Sequence, residues 1–166
     1  MEQILIPNKR VALLKEKELK SLAKRLECKL SITEENKVSI EGEPYTEYNA
    51  KNVIQAFGRG FDLNTAFKLL NEDYFFEYIN LRDSFRNREQ LQRIKARIIG
   101  EEGKAKSYME SVSNASICVF GSTVSLIGTI DEINVAKAAI AVLINGGTHK
   151  TAYMVMEKEK QKLMER

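Results

Sequence analysis

The residues with the most chemical potential lie in one run, Arg97-Ile98-Ile99-Gly100-Glu101-Glu102-Gly103-Lys104-Ala105-Lys106. Two glycines three apart let the chain turn tightly with no Cβ in the way, so that another backbone can approach it closely. The N–H groups that open the following helix point outward, and their dipole favours an anion. A phosphodiester meets both conditions. Arg93, Lys95, Arg97, Lys104 and Lys106 place positive charge on either side, while Glu101 and Glu102 oppose an incoming phosphate. Over 93–106 the five basic residues outnumber the two acidic ones. Ile98, Ile99, Ile117 and Val119 are the candidate walls of an apolar groove on which bases would lie. A glycine turn beside such a groove clamps a single strand of about four nucleotides. A bare Gly-x-x-Gly is weak evidence in a chain with nine glycines. Its setting, after Ile-Ile and between two helices in a basic stripe, gives it force.

The same stripe stands out in the charge balance. The chain has 166 residues and a formal net charge of +3, with 43% hydrophobic and 30% charged residues, an ordinary soluble composition. Residues 1–80 hold 12 Lys and Arg against 13 Asp and Glu, and residues 81–166 hold 14 against 10. Arg82 to Lys106 alone holds eight against four. A local basic stretch on a nearly balanced chain points to a polyanionic partner, the alternative being a solvated helix face.

Other chemistries find little support. His149 is the one histidine; placed after Gly146-Gly147, it suits a helix cap or a nucleic-acid contact better than a general base. Cys28 and Cys118 flank strands, have no His nearby and read as small buried residues. Two cysteines make neither a disulfide framework nor a metal quartet, and a reducing cytosol fits them. No Gly-Lys-Ser/Thr phosphate loop occurs. The acidic pairs Glu34-Glu35, Glu101-Glu102 and Asp131-Glu132 sit at turns or helix starts, whereas metal-dependent hydrolysis needs carboxylates converging in one pocket. No catalytic residue, metal or cofactor is expected. The longest apolar run, Ala138–Ile144, has seven residues, and a membrane span needs about 20. The Met-Glu-Gln start has no basic-then-apolar leader, so neither a membrane nor a signal peptide is expected.

The elements that must position the turn come in two copies. A shift of 86 lays Val38-Ser39 on Val124-Ser125, Gly42 on Gly128, Ala50-Lys51 on Ala136-Lys137, Ile54 on Ile140 and Gly60 on Gly146, seven identities in 23 positions. A shift of 87 lays Leu22 on Met109, Cys28 on Ala115, Leu30 on Ile117 and Ile32 on Val119. In the first copy Gln3–Ile6 is a strand and 9–27 is helical. Leu30/Ile32 and Val38/Ile40 alternate as two strands, and 46–58 is a helix. The second copy opens with the aromatic run Tyr74–Leu81. Helices follow at 87–98 and 104–113, strands at 116–120 and 124–130, and a long helix from Asp131 as N-cap to Gly146. Each half reads strand–helix–helix–strand–strand–helix, an α+β fold in which a three-stranded sheet packs on three helices. The apolar connector 61–73 is expected to pack rather than float. The domains are 1–72, whose matching corner Leu13-Leu14-Lys15-Glu16 has no glycine pair, and 73–166, with the turn at 100–103 and a C-terminal helix.

This order, the Ile-Ile-Gly-x-x-Gly turn and the step Ser113-Asn114-Ala115-Ser116-Ile117 resemble the KH domain of the eukaryotic-type (type I) topology. The tandem copies, the first degenerate, resemble the small-subunit ribosome-assembly KH proteins of the partner-of-Nob (Dim-two) family. Ala56-Phe57-Gly58-Arg59-Gly60-Phe61-Asp62 and Leu69-Leu70-Asn71-Glu72-Asp73-Tyr74 are the most specific match, and the short N-terminal region resembles archaeal members. The resemblance implies a cytoplasmic, non-enzymatic factor that binds single-stranded RNA near the 3′ end of the small-subunit ribosomal RNA and assists its maturation. It implies RNA contact through Gly100, Glu101, Glu102 and Gly103, with fold support and protein contacts from the first domain. The implied partners are that RNA, the 3′-end processing endonuclease, and other small-subunit or initiation factors.

The rival reading is a protein scaffold built from the same folds with little RNA binding. The tail Thr151–Arg166 would serve it as an interaction helix, or would pack back on its own domain. Replacing Gly100 and Gly103 together by Asp is expected to cut RNA affinity and leave the fold intact. Incubation of the purified protein with labelled RNA and Mg²⁺ is expected to release no fragments on a denaturing gel, and turnover would overturn the non-catalytic reading.

Overall fold

Val38 and Ile40, two residues apart and fully buried, anchor the middle strand of the first sheet. The computed structural model describes all 166 residues and divides into two units, Met1–Asn71 and Glu72–Arg166. In the first unit, β1 (Glu2–Leu5), β2 (Lys29–Ile32) and β3 (Lys37–Glu41) form an antiparallel sheet of order β1-β3-β2. Ile4 and Ile32 face Val38 from either side, and Leu30 faces Ile40. The helices α1 (Asn8–Val11), α2 (Glu16–Leu26) and α3 (Pro44–Gly58) complete the unit, with Leu22, Leu26, Val53, Ile54 and Phe57 buried.

The expected single helix over 9–27 is broken between α1 and α2. Lys15 is extended at ψ 167° and opens α2. Leu13 and Leu14 donate to the carbonyls of Arg10 and Val11, and buried Leu14 pins the corner. Apolar spacing continued through a bend that local hydrogen bonds impose. The connector folds into α4 (Leu63–Ala66) and a 3-10 turn, Phe67–Leu70. Asp62 caps it by accepting from Thr65 N, and Phe61, Ala66 and Leu69 are buried.

The second unit repeats the order with β4 (Phe75–Asn80), α5 (Arg88–Ile99), α6 (Lys104–Ser113), β5 (Ser116–Phe120), β6 (Thr123–Gly128), α7 (Ile130–Ile144) and α8 (His149–Met164). Its sheet has order β4-β6-β5, with Glu77 and Ile117 opposite Leu126. Leu91, Ile94, Ile98, Met109, Ile117, Leu126, Ile133 and Ile140 form its core. The helix expected to be capped by Asp131 begins earlier. Thr129 accepts from Glu132 N, and the Glu132 carboxylate accepts from Thr129 N, a reciprocal capping box. Asp131 instead lies in the first turn, where its charge suits the helix dipole. The tail packs back on its own unit. Thr148 caps α8, Ala152 and Met156 are fully buried, the Tyr153 ring lies 4.3 Å from that of Tyr108, and the Tyr108 hydroxyl donates to Glu157.

A matched pair of arginine clamps closes both units. In the first, Arg10 Nε donates to Phe57 O at 2.8 Å and its terminal nitrogen to Phe61 O at 2.7 Å, with the guanidinium 4.2 Å above the Phe57 ring. In the second, Arg97 donates to Leu143 O at 3.3 Å and Gly147 O at 2.5 Å. Phe57 and Leu143 are 86 apart, as are Phe61 and Gly147. Each clamp adds a second donor to a last-turn carbonyl of α3 or α7 that already accepts from Gly60 N or Gly146 N, ties it to a carbonyl of the loop that follows, and puts a cation at the negative end of the helix dipole. Where the copies differ is between the first strand and the second repeat helix. Ten residues, 6–15, separate β1 from α2, whereas 23, 81–103, separate β4 from α6.

Removing the second clamp takes a charged donor from two partly buried carbonyls, of which Leu143 O keeps a bond from Gly146 N and Gly147 O loses its partner. Arg97→Met should lower unfolding free energy by about 2 kcal/mol, since hydrogen bonds from a charged donor contribute about 1.5–3 kcal/mol. Arg97→Lys should recover less than half of that, because one ammonium cannot reproduce the fork. Urea denaturation followed by circular dichroism measures both.

Candidate nucleic-acid interface

Leu91, Ile94 and Ile98 put one face of α5 into the core, which carries the chain into the turn with its carbonyl end exposed to Gly100. Gly100 sits at φ 79°, ψ 171°, a region closed to residues with a Cβ. A Cβ there would lie 2.5 Å from Ala105 Cβ and 2.7 Å from Ala105 N. Gly103 is left-handed at φ 75°, ψ 11°, and a Cβ there would meet nothing within 4 Å. The two glycines therefore have different tasks: Gly100 lets α5 and α6 meet, and Gly103 keeps an open surface at the start of α6. Gly103 N donates to Gly100 O at 3.1 Å to close the turn. No side chain caps α6. Glu102 also takes a positive φ of 55°, and both glutamates point into solvent.

The structure separates the expected groove walls. Ile98 and Ile117 are 0% and 2% exposed and belong to the core, not to a groove surface. The physical reason is periodicity: Ile98 continues the Leu91–Ile94 face, and Ile117 points with Val124 and Leu126 to the core. Ile99 and Val119 stay half-buried and remain available as walls.

The cations separate as well. Arg97 is committed to the α7 carbonyls and is not a free phosphate ligand. Lys106 pairs with Glu110 at 3.1 Å, and the same Glu110 accepts from Ile117 N at 3.0 Å, so this pair braces α6 against β5. Lys104 reaches Glu102 only at 3.8 Å, and both are exposed, a contact of little energetic value. Arg93 and Lys95 make no ion pair and are free to meet an anion. Arg82, Arg86 and Arg88, which a reading centred on the turn left out, line a recess of about 650 Å³ at the other end of α5. The signal was present in the Arg82–Lys106 charge excess.

His149 serves a helix end. Its Nε2–H donates to Arg97 O at 2.7 Å, a carbonyl in the last turn of α5. Burial first, then the charge of Glu47, pushes the Cys28 thiol above its ordinary range, which makes it a poor nucleophile. No three His, Cys, Asp or Glu side chains gather as metal ligands, and no helix is long and apolar enough to cross a membrane. In the first unit, Lys20 is paired with Glu16 at 2.8 Å on a solvated face.

A three-stranded antiparallel sheet whose first two helices meet at a glycine turn defines the type I KH class. The pattern of the eukaryotic-type KH domain (KH-domain type I) matches residues 75–161. A KH domain-containing protein of Methanocaldococcus jannaschii is 34% identical over 171 residues, covering 98% of this chain and 75% of its own length. The pre-rRNA-processing protein pno1 of Aspergillus fumigatus is 30% identical over 119 residues, 70% of this chain but 47% of the fungal protein, so the match spans about half of that relative. The crystal structure of Dim2p from Pyrococcus horikoshii superposes with a TM-score of 0.86 at 36% identity, covering 95% of this chain and 98% of that one. A chain in the crystal structure of the a/eIF2alpha–aDim2p–rRNA complex from the same organism gives 0.88 at 36% identity, covering 97% and 94%. This chain belongs to the partner-of-Nob (Dim-two) family of KH-domain proteins.

The unequal glycines correct the expectation that both tolerate Asp. Gly100→Ala should destabilise by about 3 kcal/mol, combining overpacking with a forbidden backbone region. Gly103→Ala should cost about 1 kcal/mol, the ordinary left-handed penalty. Thermal unfolding of the two single variants measures the difference, and equal losses would contradict the assigned roles.

Proposed function

We propose that this protein is a non-catalytic ribosome-assembly factor that binds single-stranded RNA through its second KH domain. Its target is the 3′ region of the small-subunit ribosomal RNA, and it assists the maturation of that end in the cytoplasm. The observation that carries this reading is the open, left-handed Gly103 at the start of an α6 that no side chain caps. That geometry exposes amide N–H groups to a phosphate, and the unpaired Arg93 and Lys95 stand on the helix leading into it. The relatives support the same reading. One is named as a pre-rRNA-processing protein, and another was crystallised with rRNA and an initiation-factor subunit.

The first unit supplies fold and protein contacts. With ten residues where the second has 23, it has no room for a full first helix and a glycine turn. An initiation-factor subunit is a partner on the strength of the Pyrococcus complex. The endonuclease that trims the rRNA end is a partner implied by the family.

Filter binding of single-stranded RNA across a salt series tests the proposal. Affinity for a six-nucleotide RNA, which spans the turn alone, should fall with a log–log slope of about −2 to −3, the release of three or four phosphate counterions from a single strand. Gly103→Asp places a carboxylate where the phosphate would lie and should weaken binding at least tenfold, while circular dichroism stays native. A flat salt response, or an unchanged Gly103→Asp variant, would favour the protein scaffold.

A further inference from the structure

The recess at the start of α5 is lined by four cations, Arg82, Arg86, Arg88 and Lys95, and by no carboxylate. Asp83 and Glu89 alternate with these residues in sequence but do not line it. None of the four makes an ion pair, although elsewhere in this unit Lys106, Lys137 and Lys162 all find carboxylates. Four like charges around one cavity of about 650 Å³ repel one another, and an anion relieves that repulsion.

The backbone that presents them is held in place before any ligand arrives. Leu81 N donates to Ser122 O at 2.8 Å, tying the Arg82 segment to the Gly121-Ser122 turn that forms the far wall. Asn80 accepts from Arg82 N at 3.1 Å, Phe85 N donates to Leu81 O at 2.8 Å, and Asn87 accepts from Glu89 N at 2.8 Å. Three guanidiniums offer planar forks suited to phosphate oxygens.

The recess and the glycine turn share one stripe of α5. Arg88, Gln92, Lys95 and Ile99 follow one another at spacings of four, three and four, so they lie along a single helix face. That stripe is about 16 Å long at 1.5 Å per residue and ends beside Gly100. We propose that the recess receives phosphates of the RNA strand that continues past the glycine turn, extending the footprint beyond the about four nucleotides such a turn clamps. This inference rests on the RNA-binding reading above.

Fluorescence anisotropy with labelled random-sequence single-stranded RNA of six and of twelve nucleotides tests it, using the full chain. The variant Arg82→Gln/Arg86→Gln/Arg88→Gln should bind the twelve-nucleotide RNA at least tenfold more weakly, with a salt slope shallower by about 2, three phosphates at about 0.7 each. It should bind the six-nucleotide RNA within about twofold of the wild type, and all three side chains are exposed, so circular dichroism should stay native. Unchanged binding of the longer RNA, or an equal loss at both lengths, would overturn the recess as a phosphate site while leaving the turn in place. Failure of the unaltered protein to bind either RNA would overturn the RNA reading itself, and the recess proposal with it.

Discussion

The second unit depends on one charged fork. Arg97 leaves the last turn of α5 and reaches the carbonyls of Leu143 and Gly147 at the end of α7, 46 and 50 residues away. His149, at the start of α8, grips the carbonyl of the same arginine. Three helices are therefore joined three residues before Gly100, and the direction in which α5 delivers the chain to the turn follows from that junction. The first unit keeps the fork, in Arg10, Phe57 and Phe61, without the turn. A feature present in both copies belongs to the fold they share, and a feature present in one belongs to what that copy does in addition. By this logic Arg97 is structural although it sits in the middle of the basic stripe.

That arginine also marks where sequence reasoning reached its limit. Local signals were legible: alternation at Val38/Ile40 and Ile117/Val119 gave the strands, and the 86-residue offset matched α3 to α7 residue for residue, Pro44 to Ile130 and Gly58 to Ile144. The Thr129-Ile130-Asp131-Glu132 start held two good caps, and the reciprocal Thr–Glu spacing, readable in principle, settles it on Thr129. Ile98 and Ile99 are adjacent and equally apolar, and only the Leu91–Ile94 spacing says which faces inward. The partners of Arg97 and Lys106 were not legible, because a cation advertises its charge and not its contact. Tertiary structure then divides a run of similar residues into clamps, braces and free charges.

The divergence between copies is local. Sheet order, the last repeat helix and the arginine fork are common, and the 23 residues between β4 and α6 stand against ten between β1 and α2. The longer segment lets α5 run for 12 residues where α1 has four. Length alone creates the surface on which a strand can lie, since a four-residue helix offers a single turn and no stripe. The first corner is stapled by Leu14 and two backbone bonds and closes without a glycine.

Within the second unit geometry and charge come from different residues. The turn is acidic at Glu101 and Glu102, so its side chains add no attraction for a phosphate beyond the backbone N–H groups, and Glu102 sits in the left-handed region that costs a residue with a Cβ about 1–2 kcal/mol. What the turn offers is shape: an approach free of Cβ atoms at Gly103 and a close helix junction at Gly100. Attraction must come from cations nearby, and at physiological salt a charge acts over about 8 Å. By helical rise Lys95 lies about 8 Å and Arg93 about 10 Å before Gly100, within or near that range, while Arg88 lies about 18 Å away. A strand held by shape at one end of α5 and by charge along its length satisfies both constraints. Neither part alone would distinguish a flexible phosphate chain from any other anion.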